Sequence, residues 1–223
     1  MNVLAIDVGG THVKCLVSGE QTPRRFDSGP KMTPEAMIRG VDELVQDWSY
    51  DVISIGFPAP VSRGKVMHEP ANLGDGWVGF DFQAAFGCPV RIINDAAMQA
   101  LGSYNGGRML FLGLGTGLGS ALIADGVVIP LELAHLGYKK GTYEDYLGER
   151  GLQRLGKRRW RKHVESVAQA FHHVLQLEDI VIGGGNVRHL DGLPPFCRAG
   201  NNALAFVGGF RMWDDATASA ART

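Results

Sequence analysis

The sequence predicts two similar α/β lobes, because one strand–glycine turn–strand pattern occurs twice along the chain. The first copy spans residues 3–17 and turns at residues 9–11; the second spans residues 110–123 and turns at residues 113–119. Glycine permits positive φ and close approach of the main chain to a ligand. Consecutive N–H groups without Cβ atoms form a nest for anions such as phosphate. Each copy alone is also compatible with a tight hairpin that needs glycine only for its geometry, but the repeat favours two phosphate-binding turns.

Composition narrows the class of protein. A chain of 223 residues with 45% hydrophobic content forms one large domain or two small ones. The formal net charge of -1 argues against a nucleic-acid or membrane surface. We expect no membrane span and no signal peptide, because no apolar run is long enough. The cysteines Cys15, Cys88 and Cys197 lack CxxC spacing. We therefore expect no zinc site and a cytoplasmic protein.

In the first copy, strands are predicted over residues 3–7 and 12–17. Asp7 ends the first strand, where an acid beside phosphates requires a cation, so Mg²⁺ is expected there. A turn-capping role is the alternative for Asp7. Alternation along the strand leaves open whether Lys14 faces phosphate or solvent. A helix is predicted from a Thr33 cap to about Trp48, with a buried strand at 51–56.

Polar residues then follow in loops and at a strand end. Asn72 lies in an irregular loop at residues 70–77, where a ligand contact and a simple turn are both compatible with the sequence. A short helix is predicted at 82–86, a strand at 88–95 and a helix at 96–104. That strand delivers Asn94 and Asp95 to its carboxyl end, where ligands gather in α/β sheets and where a base for a substrate hydroxyl belongs. Asp95 as a helix cap is the alternative.

After the second copy, an Asp-Gly turn at residues 125–126 leads into a strand at 127–130. Glu132 and His135 are three residues apart, so one helical turn would place both on one side. Two ligands do not make a metal site, and hydrogen bonding to a polyhydroxylated ligand is the better interpretation. One helix is predicted from Tyr143 to about Leu155.

The remaining segment carries the basic run at residues 156–162, which fits a solvated helix face but could also attract a long polyanion. The helix that follows is predicted to bury an apolar stripe made of Val164, Val167, Ala168, Phe171, Val174 and Leu175. A strand then ends in Gly183, Gly184 and Gly185, which could close over a nucleotide. The last helix is predicted over 201–213, followed by a frayed tail at 214–223.

Together these motifs resemble the ROK family of sugar kinases, and within it the bacterial glucokinase and polyphosphate-glucokinase branch. The resemblance covers nearly the whole chain. Residues 7–11 match the family's first phosphate motif, residues 113–119 its second, and residues 183–185 its nucleotide-side loop. Residues 94–95 match the sugar-binding and catalytic pair.

The resemblance implies an α/β fold of two ribonuclease-H-like lobes of the actin/hexokinase type, with a cleft between them. The first lobe would span residues 1–100 and the second 101–213, with the last helix packing back on the first. Asp95 would be the catalytic base, and Asp7 would position Mg²⁺ through water. The sugar-binding residues would be Asn72, Asn94, Asp95, Glu132, His135 and Glu144. The phosphates of the donor would contact Gly9, Gly10, Thr11, Lys14, Gly115, Thr116, Gly117, Gly183, Gly184 and Gly185.

Three departures from the family pattern bear on the donor and on metal binding. His12 stands where the family often has lysine, and Ala134 replaces a usual glycine. The cysteine-rich zinc motif of many members is absent after His135, as in the polyphosphate branch. The segment 186–201 is short, which implies an abbreviated adenine pocket. ATP and polyphosphate therefore both remain candidate donors.

The expected activity is phosphoryl transfer to the 6-hydroxyl of a hexose, glucose first, with the hexose and the donor as partners and homodimerisation left open. A sugar-sensing regulator is the alternative within the same family. Regulators add an N-terminal DNA-binding domain, whereas here the first phosphate motif begins at Val3 and the charge is unsuited to DNA. An actin-like assembly protein is a third hypothesis, but it would not need the Asn94–Asp95 pair.

Overall fold

The computed structural model describes residues 1–214, and the chain divides into two compact units. The first unit comprises residues 1–102 and the described residues from 205 onward; the second is Ser103–Leu204. Of the predicted tail, Asp214 is described and residues 215–223 lie outside the described residues. Within residues 1–214, no helix has both the length and the apolar character that a membrane span requires.

The first unit is built on a five-stranded mixed sheet. Its elements are β1 (Val3–Val8), β2 (His12–Val17), β3 (Arg24–Asp27), α1 (Pro34–Val45), β4 (Val52–Phe57), β5 (Val61–Ser62), β6 (Lys65–Val66), α2 (Phe82–Phe86), β7 (Val90–Asn94) and α3 (Asp95–Ser103). The sheet order is β3-β2-β1-β4-β7. Strand β1 is antiparallel to β2 and parallel to β4, which is parallel to β7.

The second unit repeats this arrangement. Its elements are β8 (Arg108–Leu114), β9 (Leu118–Ala124), β10 (Val127–Leu131), a 3₁₀ helix (Leu133–His135), β11 (Gly137–Tyr138), β12 (Gly141–Thr142), α4 (Tyr143–Leu147), α5 (Glu149–Leu155), α6 (Lys157–Leu175), β13 (Asp179–Gly183), a 3₁₀ helix (Gly185–His189), β14 (Cys197–Ala199) and the start of α7 (Leu204–Arg211). The sheet order β10-β9-β8-β13-β14, with β8 and β9 antiparallel and β8, β13 and β14 parallel, matches the first sheet strand for strand. The predicted α/β class and the repeated glycine hairpin are confirmed.

Helix α1 shows how the sequence specifies one element. The Thr33 hydroxyl oxygen accepts the Ala36 N–H at 3.3 Å, as the cap pattern predicts, and five apolar residues of the helix are buried. The helix ends at Val45 rather than near Trp48, and the Arg24 guanidinium lies over the Trp48 ring, 4.1 Å from its centroid.

Two helix predictions in the second unit were wrong. The single helix expected from Tyr143 to Leu155 is broken at Gly148, which takes an extended conformation between α4 and α5. The break turns the Glu149 N–H towards the second glycine turn, where it is hydrogen-bonded. Val174 of the predicted buried stripe is 77% exposed, because Leu175 and Leu177 close the core at that end of α6.

The last helix, α7, starts at Leu204 rather than at Asn201 and packs on the first unit. Phe206 is buried with Ala5 and Leu16 of the sheet. The Ser54 hydroxyl donates to the Gly209 carbonyl at 2.5 Å, and the Trp213 indole N–H donates to the Ser54 oxygen at 2.9 Å. This helix therefore belongs to the same packed body as β1 and β4.

Candidate active site

The first glycine turn joins β1 to β2 and is closed by a hydrogen bond from the Gly9 N–H to the His12 carbonyl at 3.0 Å. Ser28 donates hydrogen bonds to two carbonyl groups of this turn. The Ser28 hydroxyl donates to the Gly9 oxygen at 2.5 Å, and the Ser28 N–H donates to the Thr11 oxygen at 2.9 Å. A trans peptide places its N–H opposite its C=O, so the Gly10 N–H points away from Ser28. The turn therefore directs an amide outwards, as an anion nest requires.

The loop that carries Asn72 lies against this turn. A Cβ atom on Gly10 would be 2.8 Å from the Asn72 Cβ atom, so only glycine leaves room for the loop. The Asn72 side chain is exposed. Within the first unit, the structure thus brings a residue predicted to bind sugar next to a turn predicted to bind phosphate.

Glu69 fixes that loop, although the sequence analysis did not single it out. Its two carboxylate oxygens accept the N–H groups of Trp77 and Val78 at 3.1 and 3.2 Å. Trp77 is fully buried and donates its indole N–H to the Gly74 carbonyl at 2.6 Å. The carboxylate and the indole together close the loop around Asn72. The available signal was an acid immediately before the Pro70 that opens the loop.

Asp7 and Lys14 face each other across β1 and β2. They are register partners, and the Lys14 Nζ lies 3.2 Å from Asp7 Oδ2. In this conformation Lys14 points to Asp7, and its contact with phosphate stays a prediction. The Asp7 side chain is 20% exposed. One partly exposed carboxylate fits Mg²⁺, which usually binds one or two carboxylates together with waters and substrate phosphates.

Asn94 and Asp95 stand at the junction of β7 and α3. The Asn94 side-chain oxygen accepts the N–H groups of Ala96 and Ala97 at 3.0 and 3.3 Å, so Asn94 caps the helix, and its amide donates to the Ala59 carbonyl at 3.4 Å. Asp95 Oδ1 accepts the Ala96 N–H at 2.7 Å. This bond fixes the carboxylate at the positive end of the helix dipole, at the carboxyl end of a parallel strand.

Close backbone packing holds helix α3 in place. A Cβ atom on Gly56 would be 2.4 Å from the Met98 methyl group, and one on Gly208 of α7 would be 1.8 Å from the Met98 carbonyl oxygen. Arg211 donates to the Leu101 carbonyl near the far end of α3 at 2.8 Å. The position of Asp95 is therefore set by the packing of α3 between β4 and α7.

The second glycine turn joins β8 to β9 and repeats the hydrogen-bonding logic of the first. The Gly115 N–H donates to the Gly117 carbonyl at 3.1 Å. The Gly115 oxygen accepts from the buried Asn186 amide at 3.2 Å and from the Glu149 N–H at 3.0 Å, and the Thr116 oxygen accepts from the same N–H at 3.3 Å. The N–H groups of Thr116 and Gly117 consequently point away from these donors. Neither Asn186 nor Glu149 was predicted to be part of the turn.

The loop at residues 183–185 packs directly on the second turn. Gly184 has φ +83, and a Cβ atom there would be 2.4 Å from the Leu114 carbonyl oxygen. The next residue but one, Asn186, makes the amide bond to Gly115 already described. Within the second unit, two of the predicted phosphate-side segments therefore lie together.

Glu144 also lies at the second turn. Its Oε2 accepts the Leu118 N–H at 3.3 Å, and a Cβ atom on Gly117 would be 2.4 Å from that oxygen. Helix α4, which carries Glu144, starts with a capping box between Thr142 and Asp145. Hydrogen bonds from the Thr142 backbone N–H and from its hydroxyl lower the pKa of Asp145. The box fixes the first turn of α4 and so the position of Glu144.

Glu132 precedes the 3₁₀ helix Leu133–His135 and His135 is its last residue; this helix packs against α4. Both side chains are exposed. The Ser120 hydroxyl ties this segment to β9, because it donates to the Leu131 carbonyl at 2.8 Å and accepts the Leu133 N–H at 3.2 Å. Among residues 1–214, no group of three or more His, Cys, Asp or Glu side chains is placed to hold a metal ion.

The architecture and the paired turns are those of the actin/hexokinase fold, and comparisons with known proteins identify the family. The sequence model of the ROK family matches residues 3–130, more than half of the chain. This chain belongs to the ROK family. Named glucokinase relatives and the structures of ROK kinases support a sugar kinase, a phosphotransferase, as its class of enzyme.

Among curated relatives, the polyphosphate glucokinase of Mycobacterium tuberculosis is 27% identical over 208 residues, which are 83% of this chain and 78% of the relative. The polyphosphate glucokinase of Mycobacterium leprae is 26% identical over 83% of this chain, and the match spans 64% of the relative's length.

Among solved structures, the inorganic polyphosphate/ATP-glucomannokinase from Arthrobacter sp. strain KM has a TM-score of 0.78 and 25% identity, covering 99% of this chain and 98% of that one. A ROK family transcriptional regulator, a homologue of the E. coli MLC protein, shares the fold with a TM-score of 0.72 at 14% identity, covering 99% of this chain and 78% of that one.

Proposed function

We propose that this chain is a sugar kinase that transfers a phosphoryl group from ATP or polyphosphate to the 6-hydroxyl of a hexose, with glucose as the first candidate. The observation that carries the proposal is the hydrogen bonding of the two glycine turns. In each turn at least two carbonyl groups are bound from within the unit, so that the N–H groups on the same peptides face the other way, where they can receive anions. The names of the polyphosphate glucokinase relatives support both the donor and the sugar.

In the proposed mechanism, Asp95 accepts the proton of the 6-hydroxyl while the hydroxyl oxygen bonds to the terminal phosphorus of the donor and the bond to the bridging oxygen breaks. Asn94 caps α3 and so orients the adjacent carboxylate. Asn72, Asn94, Glu132, His135 and Glu144 are proposed to bind the sugar hydroxyls. Phosphoryl transfer requires mainly that the two substrates be positioned and that the charge of the donor phosphates be neutralised. Both are supplied by groups that packing holds in place.

The donor phosphates are proposed to lie on Gly9, Gly10 and Thr11 in one unit and on Gly115, Thr116, Gly117 and residues 183–185 in the other. Asp7 would hold Mg²⁺ through water, and this ion would neutralise part of the donor charge. Lys14, now paired with Asp7, is proposed to share its charge with the phosphates once they are bound. Homodimerisation and a cytoplasmic location stay predictions.

The proposal is tested by incubating the purified chain with Mg²⁺, glucose and either ATP or polyphosphate, and identifying the product by phosphorus NMR. We expect a hexose 6-phosphate with at least one donor. Mannose and N-acetylated amino sugars would be assayed in parallel to define the sugar. Hexose binding without turnover by either donor would contradict the proposal and favour the sugar-sensing role of the family's regulators.

A further inference from the structure

A strip of positive charge runs along α5 and the start of α6. Between residues 150 and 162 the chain has seven Lys and Arg residues and no Asp or Glu, although its overall formal charge is -1. Six of these seven side chains belong to exposed residues. We name them the cationic strip: Arg150, Arg154, Lys157, Arg158, Arg159 and Lys162.

Internal contacts in this segment are made by two neighbours of the strip, Trp160 and Arg161, and by one of its members, Arg154. Trp160 is fully buried and donates its indole N–H to the Leu147 carbonyl at 2.9 Å. Arg161 is half-buried, pairs with Asp191 and donates to the His189 carbonyl. Within the strip, Arg154 lies over the Tyr146 ring, 4.8 Å from its centroid, and donates to the Asp145 carbonyl. The packing of α6 therefore does not explain why its four strip positions, Lys157, Arg158, Arg159 and Lys162, are cationic.

The strip begins beside the second glycine turn. Glu149, the first residue of α5, donates its N–H to the Gly115 and Thr116 carbonyls of that turn, and Arg150 is the next residue. From there the strip continues over the seven residues of α5, about 10 Å of helix, and into α6. Within one unit, the second glycine turn is thus followed by a series of cations, which begins on the carbonyl side of the turn, opposite the N–H groups of Thr116 and Gly117.

The same charges oppose the local stability of α6. Its first turn contains Lys157, Arg158 and Arg159 and no acid, at the end of the helix where the dipole disfavours cations. Arg158 and Lys162 also repel each other at i,i+4 spacing. Burial lowers the pKa of His189, and the positive charge of Lys157 and Arg188 lowers it further. A sequence that accepts such repulsion on an exposed face points to an anionic ligand.

We infer that the cationic strip binds the tail of a linear inorganic polyphosphate whose terminal phosphate lies in the second glycine turn. This inference rests on the proposed kinase function, and it makes long polyphosphate the donor that the second unit is built to hold. Single-stranded nucleic acid is the other linear polyanion to consider. Such binding relies on aromatic side chains that stack with bases, whereas Trp160, the aromatic residue within residues 150–162, is buried.

The test is the triple variant Arg158→Gln, Arg159→Gln and Lys162→Gln, compared with the charge-matched control Lys31→Gln, Arg39→Gln and Lys65→Gln on exposed positions of the first unit. Initial rates with ATP, triphosphate and long-chain polyphosphate give KM for each donor between 50 and 200 mM NaCl. We expect KM for long polyphosphate to rise about tenfold or more in the strip variant. The slope of log KM for long polyphosphate against log salt concentration should decrease by about two, since each of the three lost contacts with a flexible polyanion lowers that slope by about 0.7. KM for ATP, triphosphate and glucose should stay within twofold in both variants.

A direct binding titration with long-chain polyphosphate and no sugar separates this inference from the kinase proposal. Loss of polyphosphate binding in the strip variant supports the strip even if no kinase activity is found. Activity with ATP, combined with unchanged polyphosphate affinity in the strip variant, overturns the strip and leaves the kinase proposal intact. Binding of a single-stranded oligonucleotide as tight as that of polyphosphate of equal charge would overturn the assignment to polyphosphate.

Discussion

The substitution Arg158→Glu should stabilise the second unit and weaken polyphosphate binding at the same time. Arg158 is exposed in the first turn of α6, four residues before Lys162. Replacing a cation by an acid near a helix N-terminus gains about 0.3–1 kcal/mol twice, once for each charge. The repulsive pair with Lys162 becomes an attractive one, which adds about 0.4–1 kcal/mol. Taking the lower part of these ranges, we expect about 1–2 kcal/mol of added stability.

Thermal unfolding followed by circular dichroism measures the first effect, and titration with long-chain polyphosphate measures the second. For a chain of about 150–250 residues, about 1 kcal/mol shifts Tm by roughly 2–4 °C, so the added stability should raise Tm by about 2–8 °C. Arg158→Gln should give about half of the increase, because it removes the cation without adding an acid. A purely structural role for Arg158 would move stability and binding in the same direction. A lower Tm, or unchanged polyphosphate binding, would refute the reasoning.

Three further predictions concern the site and the pH dependence of stability. Glu69→Ala should raise the hexose KM about tenfold with little change in kcat, because the Asn72 loop loses the hydrogen bonds from the Trp77 and Val78 N–H groups to the carboxylate. Glu69→Gln should recover part of the loss. Steady-state kinetics measure both effects, with Asp75→Asn as the control variant in the same loop. Gly10→Ala should lower kcat/KM about a hundredfold, because the new Cβ atom would lie 2.8 Å from Asn72, whereas Gly192→Ala, with open space around it, should leave kcat/KM unchanged. Burial first, and then the charges of Lys139 and Arg154, lower the pKa of His163, so the unfolded chain binds more protons than the folded one at mildly acidic pH. The contribution of His163 to stability should be fully present above about pH 6.5, the ordinary pKa of histidine, and should fall on acidification. The urea midpoint should therefore fall less between pH 7.5 and pH 5.5 in His163→Gln than in the unaltered chain.

The fold could be predicted where the local pattern determines the element. The two glycine hairpins, helix α2 and the Thr33 cap of α1 are encoded by short stretches whose residues act on their immediate neighbours. Strand β3 was missed because its sequence Arg-Arg-Phe-Asp has no apolar alternation, and its pairing with β2 alone makes it a strand. Strand β14 was missed for a related reason, since its three residues pair with β13 and Arg198 is bound by Asp179.

The local geometry of the two glycine turns and of the Asn94–Asp95 helix start could be predicted, because each has a local backbone cause, while the roles of these residues stay predictions. The residues that hold the site together could not be predicted. Ser28, Glu69, Glu149 and Asn186 act on backbone groups that are distant in sequence, and nothing in their own surroundings marks them. The break at Gly148 has the same origin, because a helix continuing through it could not present the Glu149 N–H to the turn. The sugar contacts of Asn72, Glu132, His135 and Glu144 stay predictions.

The most direct test of the central claim is the rate of glucose 6-phosphate formation by Asp95→Asn relative to the unaltered chain, with glucose binding measured on the same samples. Asparagine keeps the size of the side chain and its bond to the Ala96 N–H but cannot accept the hydroxyl proton. The account predicts a loss of about 10²–10⁴-fold in kcat with glucose affinity largely retained, and full activity in Asp125→Asn, an isosteric change in a surface turn. Turnover by Asp95→Asn within a few-fold of the unaltered chain would contradict it.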